Sequence, residues 1–522
     1  MSDDAERRWT VAALALLLLA CHAGLAVHSL WRKSTTYDEV THLPAGLAQA
    51  ATGQARLNPQ HPPLVKLLAG LAASTLEPRL PLDGESYLSG REWDFGRQVL
   101  YEAGNDAMAL LRRGRLPVVG LSVLGGLAVF LWSRRRHGDL AGLASLALYA
   151  FSPTVIAHAR LVTMDAAVSA GAVLALYSWW RATTCPRPRL GAELACGVGL
   201  GIALAAKFSG LVLVPAMAAC ELLANGARRG WRRRLRAWAV TAAAAALVVE
   251  LAYLAPDGLL RYARDLRLLY GDRNPEYSYY LAGEFRREGF PHYFLVAMAV
   301  KSTLPALAAM LGGLGLAAAS RRRWRDDLYL WLPALWWLAV TSAVAANWGV
   351  RYALPVYPLL FVLAGGLASL AWNARRRAVR WLPPLLLLTH ASEAVKTHPD
   401  YIPYFNQIAG GARGGIHWLD NSNLDWGQDL YRLPAWLGER GVERVRLLYF
   451  GTALPEHFGV VQEPMIPADW RAAPRPGVYV ISAEYLVRGL YQAESRGWHS
   501  DWLRRYESVD VLGGSLYLYV FE

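Results

Sequence analysis

Long apolar stretches separated by short arginine-rich segments dominate the chain. An α-helix needs roughly 20 apolar residues to cross a bilayer core of about 30 Å, and most of these stretches approach that length. The pattern predicts eleven membrane-spanning helices, over residues 10–31, 116–132, 140–156, 164–180, 190–206, 208–223, 237–254, 293–319, 328–346, 352–372 and 381–395. We therefore expect a polytopic α-helical membrane protein.

The arginine clusters indicate how these helices are oriented, because short cytoplasmic loops carry an excess of basic residues. If residues 7–8 lie inside, alternation of the spans puts every later cluster on the same side: residues 134–136, 181–189, 228–236, 321–325 and 375–380. This arrangement predicts a cytoplasmic N-terminus and puts the chain after residue 395 on the outer side of the membrane.

Two segments on the predicted outer side are long enough to fold. Residues 32–115 form an outer loop in which residues 64–76 have the pattern of an interfacial helix. Residues 396–522 contain β-branched and aromatic runs at 445–450, 478–481 and 516–521, and a helical pattern at 428–437. We predict a membrane domain over residues 1–395 and a small extracytoplasmic α/β domain over residues 396–522.

Composition narrows the function class. The chain is 54% hydrophobic and 18% charged, which excludes a disordered protein. Its net charge of +13 comes almost entirely from arginines in loops between apolar stretches, so it indicates membrane topology and no nucleic-acid partner. The four cysteines show no spacing typical of a metal site.

Carboxylates stand at the predicted outer ends of two spans. Asp38 and Glu39 follow the first span, and Asp165 begins another. Ionised groups near lipid are costly unless they serve a site, so all three are candidate catalytic residues. The alternative is that they are solvated or stabilise helix N-termini.

Two cations lie at the same predicted face. Lys207 interrupts an apolar stretch at an outer turn, and Arg351 contradicts the charge bias of its side of the membrane. Together with Tyr352 they are candidate ligands for a donor phosphate, although a lysine at this depth could also extend toward the membrane surface. Asn347 lies in the same turn as Arg351 and is a candidate substrate-binding residue.

Further candidate substrate-binding residues come from the outer loop and the tail. His61 precedes two prolines, and Asp425, Gln428 and Asp429 lie in a polar segment around Trp426. A structural histidine, and a loop followed by a helix N-cap, are the alternatives for these positions.

The predicted site combines carboxylates with cations, which suits transfer of a group away from a phosphate. A carboxylate can take a proton from an incoming hydroxyl while cations stabilise the departing phosphate. No cofactor is identified. A divalent metal is possible because Asp38, Glu39, His61 and Asp165 could supply ligands, but no spacing motif establishes one.

These residues resemble motifs of the GT-C superfamily of membrane glycosyltransferases, in particular the branch of protein O-mannosyltransferases and aminoarabinose transferases. The resemblance covers nearly the whole chain. It rests on Tyr37-Asp38-Glu39, His61-Pro62-Pro63-Leu64, Thr163-Met164-Asp165, Ala206-Lys207-Phe208-Ser209 and Arg351-Tyr352-Ala353-Leu354-Pro355.

The resemblance implies that Asp38 is the catalytic base, that the donor is a polyprenyl-phosphate sugar, and that transfer inverts the sugar carbon. It also implies that the protein lies in a bacterial inner membrane. His61 stands where aminoarabinose transferases have a lysine, and residues 255–292 leave no room for a large inserted domain such as eukaryotic O-mannosyltransferases carry. The acceptor, whether protein, lipid or glycan, is therefore left open.

Two other function classes remain alternatives. A transporter or lipid flippase with an extracytoplasmic domain would also carry ionisable groups in its spans, but usually near the bilayer midplane and in repeated halves. A membrane scaffold whose tail binds a partner would leave the polar residues at the outer face unexplained.

Overall fold

The computed structural model describes residues 3–185, 187–225, 230–269, 277–465, 474–495 and 505–522. Helices form almost all of the first 397 residues, as the apolar pattern predicts. In chain order they are α1 (Asp3–Leu30), α2 (Glu39–Thr52), α3 (Leu64–Ser74), α4 (Glu85–Leu88), α5 (Glu92–Arg97), α6 (Ala107–His137), α7 (Asp139–Ala150), α8 (Pro153–Ala159), α9 (Asp165–Thr184), α10 (Leu190–Ala206), α11 (Leu213–Asn225), α12 (Trp231–Tyr253), α13 (Gly258–Leu269), α14 (Tyr293–Lys301), α15 (Leu304–Ala318), α16 (Arg321–Asp326), α17 (Leu328–Val344), α18 (Val356–Trp372) and α19 (Arg377–Thr397).

All eleven predicted spans coincide with helical segments, but two of them are broken. The segment predicted at 140–156 consists of α7 and α8, which are bent by 63° relative to each other. The segment predicted at 293–319 consists of α14 and α15. After each break, a side-chain hydroxyl caps the N-terminus of the new helix. Ser152 accepts a hydrogen bond from the amide of Val155, and Thr303 accepts one from the amide of Ala306.

Helix length does not establish the number of spans. By length and composition, three helices in the described residues could cross a membrane: α1 from Ala5, α6 and α12. The bent pair of α7 and α8 could add a fourth. The other apolar helices are shorter, between 10 and 17 residues, and include α10, α15, α17 and α18. The count of eleven therefore stays a prediction, as does the side on which each terminus lies.

Small residues allow the central helices to pack closely. α9 lies against α6 and α10, while α18 lies against α7 and α15. A Cβ atom at Gly171 of α9 would come within 2.7 Å of the backbone of Gly199 in α10, so the close approach of these two helices requires glycine. The core between them contains buried aromatic side chains such as Trp132 and Trp179.

The outer loop is helical and mostly packed onto the bundle. The predicted helix at 64–76 is present as α3, whereas α2 was not predicted. Helix α2 is buried from Glu39 to Gln49, packs against α3 and α5, and contains Pro44, a residue that argues against a helix. Helix α6 begins at Ala107, nine residues before the predicted span, because the helix continues through an arginine-rich turn.

The predicted C-terminal α/β region contains a five-stranded sheet. Its strands are β3 (Val445–Leu448), β4 (Gln462–Pro464), β5 (Gly477–Ser482), β6 (Asp510–Leu512) and β7 (Leu516–Phe521), after the hairpin β1 (Tyr279–Leu281) and β2 (Glu284–Arg286). The order is β4-β3-β5-β7-β6, with β3 parallel to β4 and β5, and β7 antiparallel to β5 and β6. Helices α20 (Gly411–Gly414), α21 (Leu433–Glu439) and α22 (Ala483–Ser495) complete this region.

Backbone hydrogen bonds join the C-terminal region to the end of the helical bundle. The amide of Ser34 donates to the carbonyl of Gln428 at 3.0 Å, and the amide of Tyr37 donates to the carbonyl of Trp426 at 2.9 Å. The segment that connects α1 to α2 is thus held by the polar loop of the tail. This contact brings the tail next to Asp38.

Candidate active site

Four of the predicted site residues lie at the ends of helices on one side of the bundle. Asp38 immediately precedes α2, Asp165 is the first residue of α9, and Lys207 directly follows α10. Arg351 lies in a 3-10 turn, Val350–Ala353, before α18. Helix ends place charged side chains where the backbone leaves the apolar bundle, so four separate segments can meet at one point.

A glycine positions the turn that carries Arg351. Gly349 has a φ of 145°, and a Cβ atom there would lie 2.3 Å from the Oγ of Ser422. The Ser422 hydroxyl donates to the carbonyl of Trp348, and the amide of Val350 donates to the Oδ1 of Asn423 at 2.8 Å. The tail therefore fixes the turn from which Arg351 reaches the other charges.

The four charged side chains form an alternating chain of contacts. Arg351 Nη1 lies 3.0 Å from Asp38 Oδ2 and 3.6 Å from Asp165 Oδ2. Lys207 Nζ donates to Asp165 Oδ1 at 2.7 Å. Asp165 therefore contacts both cations, whereas Asp38 contacts Arg351 alone within the described part of the chain.

Two aromatic rings hold the cations in place. The ring of Tyr352 lies 4.1 Å from Lys207 Nζ and 5.3 Å from the guanidinium carbon of Arg351. The ring of Trp426 lies 4.4 Å from the same guanidinium carbon. Ring faces attract cations, so both charges are stabilised in positions from which they can contact an anion.

The carboxylates of Asp38 and Asp165 differ in how far they are buried. The side chain of Asp38 is 22% exposed, whereas that of Asp165 is 1% exposed. Burial by itself would lower the pKa of Arg351, but the neighbouring carboxylates of Asp38 and Asp165 outweigh burial and raise that pKa. Arg351 is therefore permanently charged, and Asp38 is the carboxylate that a substrate can reach.

Glu39 lies next to Asp38 in sequence but faces a different environment. Its buried carboxylate accepts hydrogen bonds from the amide and hydroxyl of Thr36, both at 2.9 Å, and from the amide of Val162 at 2.8 Å. Arg115 binds both carboxylate oxygens, at 2.8 and 2.5 Å. Burial alone would raise the pKa of Glu39, but Arg115 and these donors lower it. These contacts hold the Glu39 carboxylate in place, and its catalytic role stays a prediction.

His61 lies near these four charged side chains, and its imidazole ring is neutral. Its ring packs edge-on against His42 with centroids 5.0 Å apart, and its Nδ1 is buried without a hydrogen-bond partner in the described residues. Burial, followed by His42, Lys66, Lys207 and Arg351, lowers the pKa of His61 well below its usual value. A neutral imidazole here can donate or accept one hydrogen bond, which fits the predicted substrate-binding role.

The remaining predicted binding residues are engaged in local hydrogen bonds. Asn347 accepts from the amide of Phe290 at 2.7 Å, and Gln428 accepts from the amide of Trp426 at 2.7 Å. Asp425 accepts from the amide of Gly427 at 3.0 Å, and burial raises the pKa of Asp425 to about 7. Asp429 accepts from Lys33 and from the hydroxyl of Ser515. These contacts shape the loops around Trp426, and substrate binding by these residues stays a prediction.

Three residues that support this arrangement were not among the predicted site residues. Arg115 is fully buried, contacts Glu39, and donates to the carbonyls of Lys33 and Ser34 at 3.0 and 2.8 Å. Lys33 pairs with Asp400 and Asp429. Trp426 contacts Arg351. The density of polar side chains around Trp426 is a signal in the sequence, but the partners of Arg115 and Lys33 become evident only in three dimensions.

The possible metal site finds no support in these contacts. Among the described residues, no group of three or more His, Cys, Asp and Glu side chains is placed to hold a metal ion. Asp38 and Asp165 each contact a cationic side chain, and Glu39 is bound by Arg115. The described residues therefore do not fit a divalent ion.

Comparison with known proteins supports the predicted resemblance, through a match to a family model and through a similar solved structure. Residues 108–253 match the family model for dolichyl-phosphate-mannose-protein mannosyltransferase, a segment that contains Asp165 and Lys207. No curated protein matches the chain. Among solved structures, the oligosaccharyltransferase AglB from Archaeoglobus fulgidus, in complex with an inhibitory peptide and a dolichol-phosphate, has 12% identity and a TM-score of 0.53, covering 96% of this chain and 73% of that chain.

A second similar structure is ArnT from Cupriavidus metallidurans in the apo state. It has 15% identity and a TM-score of 0.49, and the match covers 99% of this chain and 98% of that chain. The family match and the fold shared with AglB confirm the predicted resemblance to GT-C membrane glycosyltransferases.

Proposed function

We propose that this protein is an inverting glycosyltransferase that moves a sugar from a polyprenyl-phosphate donor to a hydroxyl-bearing acceptor on the outer face of the membrane. The observation that carries the proposal is the contact chain of Asp38, Arg351, Asp165 and Lys207. It combines a reachable carboxylate with two cations at one end of a helical bundle. A transporter would more often place such groups near the midplane of the bilayer.

Asp38 is the general base of the proposed reaction. Arg351 engages its Oδ2 oxygen, so the other oxygen is available to an acceptor hydroxyl. As the acceptor oxygen attacks the sugar carbon, its proton passes to Asp38. The bond between that carbon and the phosphate oxygen breaks with both electrons leaving on the phosphate. Attack opposite to the leaving group inverts the configuration of the carbon.

Lys207 and Arg351 stabilise the leaving phosphate. Charge on the phosphate increases as the sugar departs, and fixed cations that meet this charge lower the barrier without reorganising. Asp165 contacts both cations, which keeps them close together despite their like charge. We assign Asp165 to positioning these two side chains, because burial keeps its own carboxylate away from solvent.

The polyprenyl-phosphate donor is supported by the similar proteins. The matched family model names a dolichyl-phosphate sugar, and the AglB structure contains a dolichol-phosphate. Such a lipid holds its phosphate at the membrane surface, and the topology predicted from the arginine distribution puts Lys207 and Arg351 at that depth. The acceptor is the less defined substrate, and we specify only that it offers a hydroxyl group.

Binding of undecaprenyl phosphate tests the assignment of the two cations. Lys207→Ala and Arg351→Ala should each weaken binding by about 1.5–3 kcal/mol, or roughly 10- to 150-fold, because each removes a hydrogen bond to a charged group. Lys396→Ala and Arg440→Ala serve as controls, since neither side chain contacts the four charged residues of the site and they are 73% and 45% exposed.

The controls should bind undecaprenyl phosphate as the wild-type protein does. All variants are compared for thermal stability, so that a folding defect is not mistaken for lost affinity. Unchanged affinity in both Lys207→Ala and Arg351→Ala would refute the phosphate assignment.

A further inference from the structure

A cavity of about 390 Å³ lies at the opposite end of the bundle from Asp38. It opens between the ends of α6, α15 and α18 and the short helix α16. On α6, Arg136 lines this cavity while Arg115 contacts Glu39 beside the candidate active site. At 1.5 Å per residue the two arginines are roughly 30 Å apart, so the cavity is separate from that site.

The lining of this cavity carries unpaired positive charge. Arg136 lies 2.9 Å from Asp327 and 3.4 Å from Asp326, so one arginine contacts both carboxylates of the lining. Arg322 and Arg323 also line the cavity, and neither has a carboxylate within 4.0 Å in the described part of the chain. Arg136 with its two aspartates carries a net charge of −1, and Arg322 and Arg323 together carry +2, so the lining has a net charge of +1.

His137 adds a hydrogen-bonding group to the same cavity. Its Nε2 is buried, has no hydrogen-bond partner among the residues that the structure describes, and lies 3.9 Å from an oxygen of Asp327. Burial, together with Arg136 and Arg323, lowers the pKa of His137 to about 4, so the ring is neutral at physiological pH. A neutral ring can donate one hydrogen bond to a phosphate oxygen.

An apolar cavity of about 310 Å³ adjoins this charged one. Only apolar side chains line it, from α7, α15, α18 and α19, and Leu370 lines both cavities. Helix α19 is otherwise largely uncovered, since only His390 and Ala394 are buried along its length. A cationic cavity beside an apolar one matches the two parts of a phospholipid, a phosphate headgroup and an acyl chain.

We propose that these two cavities bind an anionic glycerophospholipid, with its phosphate at Arg322, Arg323 and His137 and an acyl chain against α18 and α19. The arginine distribution predicts that this end of the bundle is cytoplasmic. That leaflet is enriched in anionic lipids, and basic pockets between helices bind their headgroups. The bound lipid would join α6, α16, α18 and α19 and so stabilise the membrane domain. This proposal does not depend on the proposed transferase activity.

Lipid-dependent thermal stability of the full-length protein in detergent tests the proposal. Dioleoyl phosphatidylglycerol should raise the melting temperature more than dioleoyl phosphatidylcholine does. In the double variant Arg322→Ala/Arg323→Ala, apparent affinity for phosphatidylglycerol should fall roughly 30-fold, from the contribution expected of two arginines. The double variant Arg321→Ala/Arg325→Ala removes the same charge from the same helix, but neither residue lines the cavity.

The control variant should keep the preference for phosphatidylglycerol. An equal loss in the control would show that only general surface charge matters and would overturn the site. Absence of any preference in the wild-type protein would also overturn it. If inorganic phosphate stabilised the protein as well as the lipid does, the cavity would bind free phosphate, and the lipid assignment would be wrong.

Discussion

Replacing Asp38 with asparagine should lower sugar transfer by about 10²- to 10⁴-fold while leaving donor affinity nearly unchanged, because this is the usual effect of losing an acid–base group. The asparagine side chain has the same size and its amide oxygen can still accept a hydrogen bond from Arg351. It cannot take the proton of an acceptor hydroxyl. The measurement is the rate of acceptor glycosylation by purified protein at saturating donor.

Comparing Asp165→Asn with Asp38→Asn distinguishes the proposed base from the residue that positions the cations. Asp165 contacts Lys207 and Arg351, so its loss should weaken donor binding as well as transfer, whereas Asp38→Asn should affect transfer alone. If Asp38→Asn kept near-normal turnover and Asp165→Asn abolished it, the base would have to be reassigned to Asp165. If neither substitution affected transfer, the proposed mechanism would fail and the transporter alternative would lead.

Replacing Arg115 with methionine should lower the free energy of unfolding by about 3–5 kcal/mol, the typical cost of removing one partner of a buried ion pair. Both side chains of the Arg115–Glu39 pair are fully buried. Without Arg115, Glu39 would keep a buried charge, and the carbonyls of Lys33 and Ser34 would lose their donor. Thermal or denaturant-induced unfolding in detergent measures the effect.

Arg112→Met is the matched control, one turn earlier on α6. Arg112 donates to the carbonyl of Trp31 at 3.2 Å and lies over the ring of that residue. Its loss should cost about 1 kcal/mol or less, since exposed contacts contribute little. Adding Glu39→Gln to Arg115→Met should recover part of the lost stability, because the buried charge is removed. Equal stability of Arg115→Met and wild-type protein would contradict a structural role for this pair.

The apolar pattern predicted where helices form more reliably than where they break. All eleven apolar stretches form helices, because an apolar segment away from water must satisfy its backbone hydrogen bonds internally. The breaks at Ser152 and Thr303 depend on one capping hydroxyl each, which a pattern averaged over a whole span does not register. Helix α2 is not predicted because Pro44 lies within it, and a proline inside a segment argues against a helix there.

The predicted site residues divide according to what their side chains contact. Asp38, Asp165, Lys207 and Arg351 were expected at one face because alternation of the spans placed them there, and the structure brings them into contact. The sequence alone could not show that the side chain of Glu39 has a different environment from that of its neighbour Asp38. That distinction depends on Arg115, which lies 76 residues further along the chain.

Mass spectrometry of the lipid bound to Asp38→Asn protein, purified from its native membrane, tests the central claim most directly. A protein that binds donor but cannot deprotonate the acceptor should retain a polyprenyl-phosphate sugar, and the double variant Asp38→Asn/Lys207→Ala should retain much less. Absence of any polyprenyl-phosphate sugar from the Asp38→Asn protein, or equal amounts in both variants, would contradict transfer from a lipid phosphate held by Lys207.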